Sequence, residues 1–180
     1  EFNEVGGNAT ASSGGQSAAL IHDVANLTLN KVRIVGNRTY AGTTTGDIYL
    51  DDIDALTIGG VDLDLDGIDV TGASGAIAVT ATGSIIVNEG VSGPGNIALM
   101  ATGSSSDLTI SVNSGVASTG GNVLLSADRT VTISENVSTT GTGTLTVTGN
   151  GATGARNIVV NNGAVISTVD GDLLLDADQG

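Results

Sequence analysis

Without a single cysteine, the chain can form neither disulfides nor thiolate metal sites. Aromatic residues are nearly as scarce: Phe2, Tyr40 and Tyr49 are all there are, and there is no tryptophan. Aromatic side chains dominate the volume of ordinary cores, so their scarcity argues against an ordinary globular core. Pro94 is the only proline. Positive charge is confined to Lys31, Arg33, Arg38, Arg129 and Arg156, against 19 acids, for a formal net charge of −14. That balance repels nucleic acid and anionic membranes and sets both aside as partners. No apolar run approaches membrane-spanning length, no signal peptide opens the chain, and no stretch carries a sustained helical period.

What the chain has instead is glycine, 28 of 180 residues, set among threonine, serine, valine and asparagine. β-branched residues alternate in short runs between the glycines, the pattern of many short strands. One motif recurs, Gly-x-Φ-x-Φ with Φ aliphatic: GDIYL from Gly46, GAIAV from Gly75, GNIAL from Gly95, GNVLL from Gly121, GTLTV from Gly143 and GDLLL from Gly171. The intervals are 29, 20, 26, 22 and 28 residues. A small residue follows the second aliphatic at a fixed distance (Ala81, Ala101, Ala127, Gly149 and Ala177), and a second strand comes soon after, as at Ile85/Val87 and Val131/Ile133. Upstream, residues 17–45 align on 46–74 without a gap, so that a 29-residue period is expected through 1–74 and variable coils through 75–180.

Units of this length, built from short alternating strands, suit a solenoid in which each unit is one coil and equivalent strands stack about 4.8 Å apart. The expected fold is all-β, a right-handed parallel β-helix with coils of about 20–29 residues and no helix. Residues 1–180 then form a single segment, and the abrupt start at EFNEV and stop at DADQG suggest part of a longer rod. Ile77, Ile97, Val123, Leu145 and Leu173 would stack inside. Extra length at 103–107 and 150–156 would bulge from one edge of the rod, with Arg156 standing out on an acidic surface.

The GNIALMATG and GNVLLSADRTVTISENVSTTG units resemble the degenerate repeats of filamentous-haemagglutinin-type adhesins and other giant bacterial surface proteins. LTLNKVRIVGNRTYAG is similar to coils of extracellular right-handed β-helix proteins. The resemblance implies an exposed, rod-like role at a bacterial cell surface or outside the cell, with no particular receptor attached.

Two acidic clusters are the candidate sites. In VDLDLDG, Asp62, Asp64 and Asp66 precede Gly67 as in an EF-hand loop, but that loop needs glutamate at its twelfth position and Ala73 stands there. The alternation instead puts Val61, Leu63 and Leu65 inside and the aspartates outside. The 29-residue frame then lays Arg33 against Asp62 and Glu4 against Arg33. A solvated acidic face is the favoured reading, and low-affinity calcium binding by the three aspartates is the alternative. The second cluster joins His22 and Asp23 to Asp51, Asp52 and Asp54, with Asp23 beside Asp52 in the same frame. Stacked carboxylates can share a proton or serve a glycosidase, so Asp23, Asp51 and Asp52 are the catalytic candidates of a carbohydrate-active alternative. No arginine, lysine or aromatic platform is nearby to bind a polysaccharide.

Thr-x-Thr strings such as TGTGTLTVTG raise ice binding, but the outward columns of the Gly-x-Φ-x-Φ strands form no threonine ladder. The expectation is therefore a non-enzymatic shaft segment of an extracellular adhesin or surface filament, without a cofactor. Its contacts would be neighbouring coils of the same parent chain, end-to-end copies through uncapped coils, or a surface glycan or protein receptor.

Overall fold

Alternating aliphatic residues bounded by glycine fold into strands of two to seven residues. The computed structural model describes residues 46–60, 67–151 and 154–177, together with the backbone of strands Asn3–Glu4, Ala19–Val24, Arg33–Ile34 and Arg38–Thr44. Among the described residues there is no helix. Every strand pairing is parallel, and the chain is a β-solenoid with five coils of three strands each from Ile48 to Ser167. The strand Leu173–Ala177 begins another coil.

Face A consists of the Gly-x-Φ-x-Φ strands Ile48–Asp52, Ile77–Ala81, Ile97–Ala101, Val123–Ala127, Leu145–Gly149 and Leu173–Ala177, stacked in chain order. The register follows the uneven intervals without slippage, with Ile48 on Ile77, Ile97, Val123, Leu145 and Leu173 in turn. Face B holds Leu56–Ile58, Ile85–Val87, Leu108–Ile110, Thr130–Ile133 and Asn157–Val160. Each coil also carries a third strand that the aliphatic pattern alone does not reveal. On face C these are Ile68–Val70, Val91–Gly93, Val116–Ser118, Val137–Thr139 and Ile166–Ser167.

Alternate residues of face A point inward, so two aliphatic columns run along it: Ile48, Ile77, Ile97, Val123, Leu145 and Leu50, Val79, Leu99, Leu125, Val147, all buried. Faces B and C add Leu56, Ile85, Leu108, Val131 and Ile68, Val91, Val116, Val137. Burial of each such side chain contributes roughly 1.5–3 kcal/mol, and these columns replace the aromatic volume the chain lacks. Where a strand meets a corner, serine and threonine enter the interior with their hydroxyls satisfied. Ser114 donates to the Val87 carbonyl at 2.7 Å, and Ser118 donates to the Gly95 carbonyl at 2.8 Å while accepting the Gly121 N–H at 2.8 Å.

The motif glycine has its own reason. A Cβ on Gly95 would lie 2.5 Å from the Gly75 carbonyl oxygen, and one on Gly121 only 2.2 Å from the Gly95 carbonyl carbon. Gly75, Gly143 and Gly171 meet the backbone of the preceding coil in the same way. Coils approach backbone to backbone along this line, and only a residue without Cβ fits.

Outward residues just before a strand close the ladder sideways. Asp47 Oδ1 accepts the Ala76 N–H at 2.8 Å, Asn96 Oδ1 the Asn122 N–H at 2.9 Å, and Asn122 Oδ1 the Thr144 N–H at 2.8 Å. Asn136 Oδ1 does the same for the Val165 N–H at 3.0 Å. The coil thus has a short asparagine/aspartate ladder.

Upstream of Gly46 the 29-residue frame does not hold. Arg33 is in Cα register with Asp51 and Arg38 with Leu56, an offset of 18 residues. Glu4 is in register with Leu20, not with Arg33. The strand Arg38–Thr44 pairs with Leu56–Ile58 through one half and with Ile68–Val70 through the other, joining faces B and C in one sheet. Alternation is common to every strand, so it says which residues point inward without saying which strand lies on which.

Candidate functional site

Polar residues concentrate where face A turns into face B. The backbone ladder continues through this corner: Thr82 N donates to Asp52 O at 2.9 Å, Thr102 N to Ala81 O at 2.8 Å, Asp128 N to Ala101 O at 3.1 Å and Asn150 N to Ala127 O at 3.0 Å. The small-residue column Ala81, Ala101, Ala127, Gly149 and Ala177 lines its inner side in register, and Asp52 heads that column. Alanine keeps the turn narrow. Asp52 is buried there, its Oδ1 accepting the Asp54 N–H at 3.0 Å, and the Thr82 hydroxyl donates to the Ile53 carbonyl.

Neighbours on one strand point to opposite sides, so Asp51 is exposed while Asp52 faces the interior. The strand bearing His22 and Asp23 runs along Arg38–Thr44, with Ile21 on Gly42 and Val24 on Thr44. It does not pair with Ile48–Asp52, whose neighbours are Arg33–Ile34 and Ile77–Ala81. Asp23 is therefore not laid beside Asp52, and the trio Asp23, Asp51 and Asp52 is not assembled as a stack. Asp62, Asp64 and Asp66 lie outside the described residues. Among the described residues no group of three or more His, Cys, Asp or Glu could hold a metal ion.

Both insertions do sit on the A–B corner. Arg129 N donates to Ser106 O at 3.0 Å and Asn157 N to Arg129 O at 3.1 Å, so the inserted segments rejoin the ladder before face B. They are less free than their composition suggests. Ser106 is buried, donating to the Ala101 carbonyl at 2.8 Å, and Ser105, at φ 66°, gives its N–H to Asp128 Oδ2 at 2.7 Å. Arg156 is buried as well, contrary to the outward position expected from charge alone.

The pair Arg129–Asp107 is the feature that sequence reasoning missed. Asp107 receives Arg129 Nε at 3.2 Å and Nη2 at 2.8 Å, and its Oδ1 also accepts the Thr130 N–H at 3.1 Å. Asp107 N in turn donates to the Ser84 hydroxyl at 3.0 Å. The hydrogen bond to Asp107, then its charge, with Asp128 adding, raises Arg129 above its ordinary value and keeps the guanidinium charged. The only signal in the sequence was the acid of GSSSD falling one coil below Thr130, next to Arg129, visible once the 23-residue offset of face B is known.

The carboxylates of this corner are thus acceptors for backbone: Asp52 for Asp54, Asp107 for Thr130, Asp128 for Ser105. Replacing Asp107 with alanine removes the acceptor for Thr130 N and is expected to cost about 1 kcal/mol in urea unfolding. Arg129→Ala, which removes the exposed partner and leaves that acceptor in place, should shift the midpoint less. A larger loss from Arg129→Ala would mean that the ion pair matters more than the backbone bond.

Face B carries the outward column Thr57, Ile86, Thr109, Thr132 and Val159. The aliphatic residues interrupt its threonines. The chain matches no family model, no curated protein and no solved structure.

Proposed function

We propose that the chain is a non-enzymatic shaft segment of an extracellular bacterial adhesin or surface filament. The observation that carries this reading is the unbroken face A ladder, in register from Ile48 to Leu173 through coils of unequal length. Such a ladder builds a stiff rod from small and aliphatic residues, and the acids at its A–B corner serve the backbone. The likeness of its repeat units to those of filamentous-haemagglutinin-type adhesins supports the surface role, and the acidic balance suits a rod that must stay soluble. Outward columns of asparagine, serine and threonine would supply contacts for a glycan or protein receptor.

Antibody raised against the chain should label intact, unpermeabilised cells of the bacterium that encodes it. Labelling only after permeabilisation would overturn the surface role. A panel of polysaccharides should show no cleavage by the purified chain, and cleavage abolished by Asp51→Asn or Asp52→Asn would overturn the non-enzymatic reading.

A further inference from the structure

The sequence contains two Asn-Gly pairs, Asn150–Gly151 and Asn162–Gly163. Glycine after asparagine favours intramolecular attack of the glycine nitrogen on the side-chain amide, because no Cβ obstructs the approach. The fold treats the two pairs differently. Gly151 is buried, its N–H donates to Asp128 O at 2.8 Å, and a Cβ there would lie 2.1 Å from Asp128 Oδ1. Asn150 N is held by Ala127 O at 3.0 Å. The nitrogen that must attack is committed to the ladder, and the Asp128 carbonyl and carboxylate crowd the glycine.

Asn162 and Gly163 are the two central residues of a turn closed by Ala164 N donating to Asn161 O at 3.1 Å. Gly163 has φ 92° while Asn162 is not at positive φ, the sign pattern of a type II turn. Both residues are exposed, and a Cβ built on Gly163 meets nothing within 4 Å. No ladder bond among the described residues holds either N–H. A turn tip of this kind deforms at little cost compared with a strand corner.

We propose that Asn162 is a site of spontaneous deamidation and that the fold protects Asn150. The Gly163 nitrogen, losing its proton to solvent base, bonds to Asn162 Cγ as the Cγ–Nδ2 bond breaks and ammonia leaves. Water then opens the resulting succinimide at either carbonyl, giving aspartate or isoaspartate. The net change consumes one water and releases one ammonia. The product places a new negative charge on the turn between Asn157–Val160 and Ile166–Ser167, and the isoaspartate form adds a backbone atom to it.

The test is timed incubation of the folded chain at mildly alkaline pH, with peptide mapping by mass spectrometry and enzymatic isoaspartate labelling. Asn162 should convert more than about tenfold faster than Asn150, the separation expected when one site needs only local loop motion and the other needs opening of the ladder. In concentrated urea the two rates should converge. Equal rates in the folded chain, or an unequal ratio that survives in urea, would overturn the proposal.

Discussion

Gly121→Ala is expected to destabilise the chain by about 3 kcal/mol or more, at or above the upper end of the usual range for overpacking. The added Cβ would stand 2.2 Å from the Gly95 carbonyl carbon and 2.4 Å from Asn96 N. Both are backbone atoms locked in the ladder, so no side-chain rotation can relieve the contact. Gly90→Ala is the matched comparison. It too precedes a strand, but a Cβ there has only the Gly115 carbonyl oxygen at 3.7 Å, and the same column holds Asn136 and Val165 in later coils. That variant should stay within about 0.5 kcal/mol of the parent. Urea unfolding followed by far-ultraviolet circular dichroism gives both numbers. Equal effects at the two positions would show that the coils do not touch backbone to backbone at Gly121.

The second large effect is expected from Leu125→Ala, at about 3 kcal/mol, within the range for emptying a buried leucine. Leu125 is fully buried between Leu99 and Val147 in the coils on either side, with little freedom for a strand fixed on both edges to collapse into the void. Its neighbour Leu124 points outward on the same strand and is half-buried. Leu124→Ala should cost clearly less than Leu125→Ala, since part of its surface is already in water and its loss leaves no closed cavity. The pair reads the direction of every second residue on face A from a single strand. A larger loss at Leu124 than at Leu125 would invert the inside and outside of the rod.

Sequence pattern was enough for face A because Gly-x-Φ-x-Φ is constrained twice. The glycine is required by backbone contact, and the two aliphatic residues by the core, so each interval could be read as a stacking offset. Face C was not legible for the opposite reason. Its strands are two or three residues long, and in three of them a single aliphatic residue, Val91, Val116 or Val137, does the inward packing. Ser118 and Thr139 look like surface residues, yet they are buried, since a corner carbonyl supplies each with an acceptor. A Gly- or Asn-preceded valine followed two positions on by a small or hydroxyl residue, as in GVSG, GVAS and NVST, was the available signal.

The stacking partners of Asp23 and Arg33 were misread through one cause. A gap-free frame laid residues 17–45 on 46–74 and so fixed where Asp23 and Arg33 must fall. The face C strand begins 12 residues after the face B strand in the first coil but only 6 residues after it in the next. Hydrogen-bonding register decides partners, and nothing in the alternation of short strands encodes it. Arg156 escaped for a related reason: a charged residue in a glycine-rich insertion reads as solvated, whereas this one sits under the corner.

Coils of 20 and 29 residues occupy the same axial step, because parallel strand spacing sets the step at about 4.8 Å whatever the residue count. Residues added at corners therefore widen the girth of the rod and leave its reach unchanged. A longer span requires a whole new circuit with its own glycine and its own pair of inward aliphatics. Two properties of the molecule are thereby separated: decoration at the edges can vary freely in size, while the distance spanned changes only in whole steps.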